Sequence, residues 1–162
     1  MNCLSRVGVA AALAAMSAVA VSQGAGGPPN PEAQAKSAIE ARQGLFKVIN
    51  SQMGPIGGML RNQREFDAAL VAKNATRIQT LAEIIPELHG LDTRQFKTIK
   101  TGALEGIWAS QADFKAKADA LAKAAGDTAT VAKTGDKANT LKAAAEIGKA
   151  CGACHDNFRA KP

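Results

Sequence analysis

The sequence predicts an all-α fold, an antiparallel four-helix bundle, on three observations. Alanine is abundant while β-branched and aromatic residues are few: aromatics make up 4% and tyrosine is absent. Four stretches repeat their apolar positions at helical spacing, and neither strand alternation nor an internal repeat interrupts them. The length of 162 residues, 46% hydrophobic and 21% charged, suits one compact domain.

The opening "MNCLSRVGVAAALAAMSAVAVSQGA" stands apart from that bundle. Arg6 precedes an apolar run from Val7 to Val21 that ends in small residues, the pattern of a secretory signal peptide over residues 1–20, with Ala18-Val19-Ala20 as the cleavage site. A membrane anchor would need a run of roughly 20 residues, and Cys3 precedes the run instead of closing it as a lipoprotein cysteine would. The expectation is export, leaving residues 21–162 as the folded domain and Cys151 and Cys154 as its cysteines. After the linker "GGPPNPEA", Pro31 suits a first helical position, and Ile39, Leu45, Phe46, Ile49 and Met53 mark one apolar face. Gly54, Pro55, Gly57 and Gly58 either kink or end this helix. The second helix is expected over Glu65 to Glu87, with Phe66, Leu70, Ile78, Leu81, Ile84 and Ile85 apolar. A loop from His89 to Ala103 follows, with His89 expected to face solvent. The third helix is placed over Ile107 to Lys133, led by Trp108, Phe114 and Leu121. Thr134-Gly135-Asp136 is a turn, and the fourth helix runs from Lys137 to Arg159. Amphipathic helices joined in this way pack best as an antiparallel bundle.

The chain ends on "CGACHDNFRAKP". Cys151, Cys154 and His155 fall at i, i+3 and i+4 of the last helix and share a face. Cys-x-x-Cys-His is the attachment motif of c-type haem. Two thiols one turn apart add to the two vinyl groups, and the adjacent imidazole reaches the iron. A redox cysteine pair belongs at the start of a helix that follows a strand, and a structural zinc site needs four ligands. A plain disulfide leaves His155 unexplained. Covalent haem c, one per chain, accounts for all three residues. The formal charge of +6 is spread singly, without the basic clusters and interleaved aromatics of a nucleic-acid surface, and no membrane partner is expected once the leader is removed.

The chain resembles the cytochrome c′ family, the high-spin class II c-type cytochromes of bacterial periplasms. The likeness runs through "ARQGLFK", "GIWASQADFKAKADAL" and "CGACHDNFR" and departs at "EGIW" and "GPIGG". It implies that Arg42 and Gln43 match an Arg-Gln pair near the haem, with Arg42 beside the propionates. By helical spacing alone, both would be ordinary surface residues. It also implies that Thr101 through Trp108 line the haem edge and that Arg159 lies by the proximal pocket. In low-spin relatives a methionine four residues after the arginine binds iron. Phe46 stands there and has no donor atom, while Met53 and Met59 lie further along the helix. The expectations are five-coordinate, high-spin iron with His155 as its protein ligand, a periplasmic location, and a homodimer through the first two helices. Nitric oxide should bind strongly, carbon monoxide weakly, and dioxygen without a stable complex. Electron exchange with redox partner proteins is compatible with this reading. An enzyme is not expected, because Phe46 offers no acid or base. The alternative is a six-coordinate, low-spin class II cytochrome acting purely in electron transfer.

Overall fold

The computed structural model describes residues 30–161, so the leader assigned to residues 1–20 and its cleavage site lie outside the described residues. Five helical segments follow: α1 Pro31–Leu60, α2 Ala68–Leu88, α3 Gly106–Ala109, α4 Gln111–Ala132 and α5 Lys137–Phe158. The four long ones form the bundle, and α3 is a single turn at the head of α4. Among the described residues extended pairing is confined to one isolated bridge, Ala103 with Arg159.

The helix starts follow local chemistry. Asn30 accepts from the Glu32 N–H and Pro31 occupies the first turn. Asp67 accepts from the Leu70 N–H, and Asp136 from the Asn139 N–H. Each cap satisfies a backbone donor that the helix cannot. The Asp67 cap moves the start of α2 to Ala68, three residues after Glu65.

The Gly54-Pro55-Ile56-Gly57-Gly58 segment does not end the first helix. α1 continues through Pro55 to Leu60 because Ile56 and Met59 bury their side chains in the core, and that packing offsets the hydrogen bond Pro55 cannot make. α1 stops at a Schellman motif. Asn62 takes φ 56°, its N–H donates to Met59 O, and the Gln63 N–H donates to Gly58 O at 2.8 Å. The turn between α4 and α5 holds Gly135 at φ 77°, where a side chain would be strained.

The core gathers Ile49, Ile56, Val71, Ile78, Ile85, Phe114, Leu121, Ile147 and Phe158 with many alanines. Alanine on α2, α4 and α5 lets these helices approach closely: α2 packs chiefly on α4, and α4 on α5. α1 packs on α2 and touches α5 only slightly.

Two further departures from the sequence expectation shape the site. The third helix breaks at Ser110, whose φ of −135° and ψ of 56° are not helical. The break lets Ile107 enter the core while Trp108 turns towards α2. α5 ends at Phe158, not Arg159. Arg159 is extended, and the Ala160 N–H donates to Gly102 O at 2.8 Å while the Leu104 N–H donates to Phe158 O at 3.0 Å. The chain end is thus clasped to the loop before α3.

Candidate haem site

Cys151 and Cys154 lie one turn apart on α5, about 4.5 Å along its axis. Both are free, half-buried and packed against the core. Burial pushes both thiols above their ordinary range. For Cys154 the neighbouring Cys151 and Asp113 add to that effect, and Lys117 on α4 opposes it. His155 is exposed on the next position. Desolvation and the Arg159 guanidinium lower its pKa against the pull of Asp156, which favours the neutral, ligand-competent imidazole.

This donor set fits haem c. Two unpaired thiols on one face reach two vinyl groups, and His155 beside them offers a lone pair to iron. Among the described residues no three His, Cys, Asp or Glu side chains are gathered as a bare metal ion requires.

The residues carried over by resemblance converge on the same end of the bundle, from the other side. Arg42 is buried, not the exposed helix arginine that spacing alone suggests. Its Nε donates to Leu88 O at 2.7 Å, one terminal nitrogen to Leu91 O at 2.6 Å and the other to Thr93 Oγ1 at 3.0 Å. The guanidinium lies 5.4 Å from the Trp108 ring centroid, within cation–π range. Desolvation lowers the Arg42 pKa, and Asp92 acts against it. Three of its five N–H groups are committed, one to the last residue of α2 and two to the loop after it, which leaves two. Gln43 is exposed and donates to Lys100 O at 3.3 Å. Thr101, also exposed, accepts from the Ala103 N–H at 3.1 Å. Trp108 is half-buried and its indole N–H donates to His89 O at 3.0 Å. Phe46 is 40% exposed, unusual for a phenylalanine on a core-facing helix. Arg159 is exposed and its backbone N–H donates to His155 O at 3.2 Å.

An aromatic ladder connects the two groups. Phe46 on α1 faces His89 at 6.2 Å between ring centroids, His89 faces Phe114 at 4.8 Å, and Phe114 meets Phe158 edge-on at 5.2 Å. Phe158 lies one turn beyond Cys154 on α5.

His89 overturns the expectation of a solvent-facing loop histidine. It is the C-cap of α2, only 4% exposed, and its Nδ1 lies 2.8 Å from Ile85 O. The signal was present in the sequence: Ile78, Ala82, Ile85 and His89 fall on one helical face. Thr93 and Phe158 were likewise not singled out, and both are buried at the site.

A paired-thiol helix with an adjacent imidazole, at the end of a four-helix bundle, defines a c-type haem protein. The chain belongs to the cytochrome c′ family: the family model described as Cytochrome C' matches residues 37–159. It is 36% identical over 124 residues to cytochrome c' of Rubrivivax gelatinosus, covering 76% of this chain and 95% of that one. Cytochrome c-554 of Cereibacter sphaeroides is 33% identical over 129 residues, covering 79% and 84%. Among solved structures, the nitric oxide complex of a variant of cytochrome c prime from Alcaligenes xylosoxidans superposes with a TM-score of 0.68 at 27% identity, covering 78% of this chain and 97% of that one. The cofactor is covalent haem c, which Cys151 and Cys154 are placed to hold.

Proposed function

We propose that this chain is a periplasmic, five-coordinate, high-spin haem protein that binds nitric oxide above all, and carbon monoxide, on the side lined by Phe46. The observation that carries the reading is Phe46 itself, a hydrocarbon ring at the position where a ligating methionine would have to stand. When bound, the haem supplies an iron with one open position for a diatomic gas. His155 would ligate that iron, and Phe46 would have to swing aside for the gas. Its partial exposure leaves it room to do so. The nitric oxide complex of the Alcaligenes relative supports the choice of ligand. Arg42 keeps two N–H groups with which to meet a propionate, and Arg159 stands on the proximal face beside His155.

The leader pattern of residues 1–20 supports the periplasmic location. Electron exchange with redox partner proteins, a homodimer through α1 and α2, and the lack of an enzymatic reaction complete the proposal. Its test is an optical spectrum of the purified protein in both redox states, followed by titration of the reduced form with each gas. High-spin bands, a strong response to nitric oxide and a weaker one to carbon monoxide are expected. A long-lived oxygenated spectrum, or no response to nitric oxide, would sink the reading.

A further inference from the structure

His89 is a buried titratable group that the reading above does not use. A carbonyl oxygen can only accept, so the 2.8 Å contact with Ile85 O places the ring proton on Nδ1. In the neutral imidazole the lone pair then sits on Nε2, for which no hydrogen-bond partner exists among the described residues. Burial, with Arg42 nearby, lowers the His89 pKa against the contribution of the Ile85 carbonyl, which keeps the ring neutral at neutral pH. The ring lies between Phe46 and Phe114, its centroid 6.2 Å from that of Phe46, the side chain proposed to line the gas side. The Trp108 N–H is committed to His89 O, and three of the Arg42 N–H groups to Leu88 O, Leu91 O and Thr93 Oγ1.

We propose that His89 is a specificity-determining residue of the ligand side, an acceptor that favours small ligands carrying their own N–H or O–H. This deepens the gas-site reading and rests on it. The tautomer decides the consequence. A donor at this place would stabilise dioxygen, whereas Nε2 as an acceptor does not. Nitric oxide and carbon monoxide have no proton to offer it. Ammonia or water does, because coordination polarises its N–H or O–H towards a lone pair. The bonds involved are hydrogen bonds only, and no electron moves.

The test uses the haem-loaded protein with ammonia as the protic probe of the ferric form and carbon monoxide as the aprotic probe of the ferrous form. Wild type is compared with His89→Phe, which fits the surrounding phenylalanines, and with His89→Gln, whose amide oxygen restores an acceptor. The ratio of ammonia affinity to carbon monoxide affinity should fall about tenfold in His89→Phe, the effect of one hydrogen bond, and recover in His89→Gln. Equal ratios in wild type and His89→Phe overturn the proposal while leaving the gas site intact. A ferric spectrum that is low-spin in wild type and high-spin in His89→Phe also overturns it, since His89 would then bind iron directly. Wild type that responds to neither nitric oxide nor carbon monoxide removes the gas site and this role together.

Discussion

At the scale of the residue, the haem end is governed by which side chains have donor atoms. Phe46 has none. Replacing it by methionine, Phe46→Met, puts a thioether at that position and should convert the reduced protein from high-spin to sharp low-spin bands. An unchanged spectrum would mean that the α1 register does not aim this position at iron. The thiols carry a separate expectation. Haem should stay with the polypeptide through acid–acetone extraction, and Cys151→Ala should still retain it through the single remaining thioether at Cys154. Complete release from the native protein would refute covalent attachment. These side chains were readable because their meaning is local: Cys151, Cys154 and His155 lie within five consecutive positions. Arg42 was not readable as buried, and His89 shared a buried helical face only if α2 was carried on to it. The acceptors of Arg42 lie 46 to 51 residues away, and His89 follows a helix end whose exact position no short motif marks.

At the scale of the element, ends are set by backbone groups that need partners. The Schellman motif after α1 is the clearest case, with Asn62 in the left-handed region. Asn62→Val should cost about 1 kcal/mol in chemical denaturation, because a β-branched side chain is strained there, while Asn62→Gly should be nearly neutral. Similar losses for both would show that the asparagine side chain matters more than its backbone angle. Periodicity and turn residues made the four long helices legible, and the turn at Gly135 fell where the sequence put it. The exceptions share a cause in tertiary packing. Pro55 should break a helix by propensity, yet burial of Ile56 and Met59 carries α1 past it. Ser110 has no breaking signal, yet the backbone bends there so that Ile107 and Trp108 can point different ways. Arg159 leaves the helix because the residues around it pair with the loop near Gly102.

At the scale of the whole molecule, the proposed homodimer must cover apolar surface that the bundle leaves outside. Val48 on α1 is 47% exposed. Val48→Glu should therefore shift sedimentation from dimer to monomer without changing the optical spectrum, since a charge brought into such a seam is costly. A persistent dimer would place the interface elsewhere. The uneven packing of the bundle has one more result. α2, α4 and α5 form a tightly joined block, whereas α1 is fastened mainly along α2 and by the Arg42 cluster. Resistance to local opening follows packing, so backbone amides in the first half of α1 should trade hydrogen for deuterium well before those of α2 and α4. Phe46 follows directly after that half, at the middle of α1, and under the proposed gas-site reading the doorway for an entering gas molecule would then be a breathing helix as well as a turning ring.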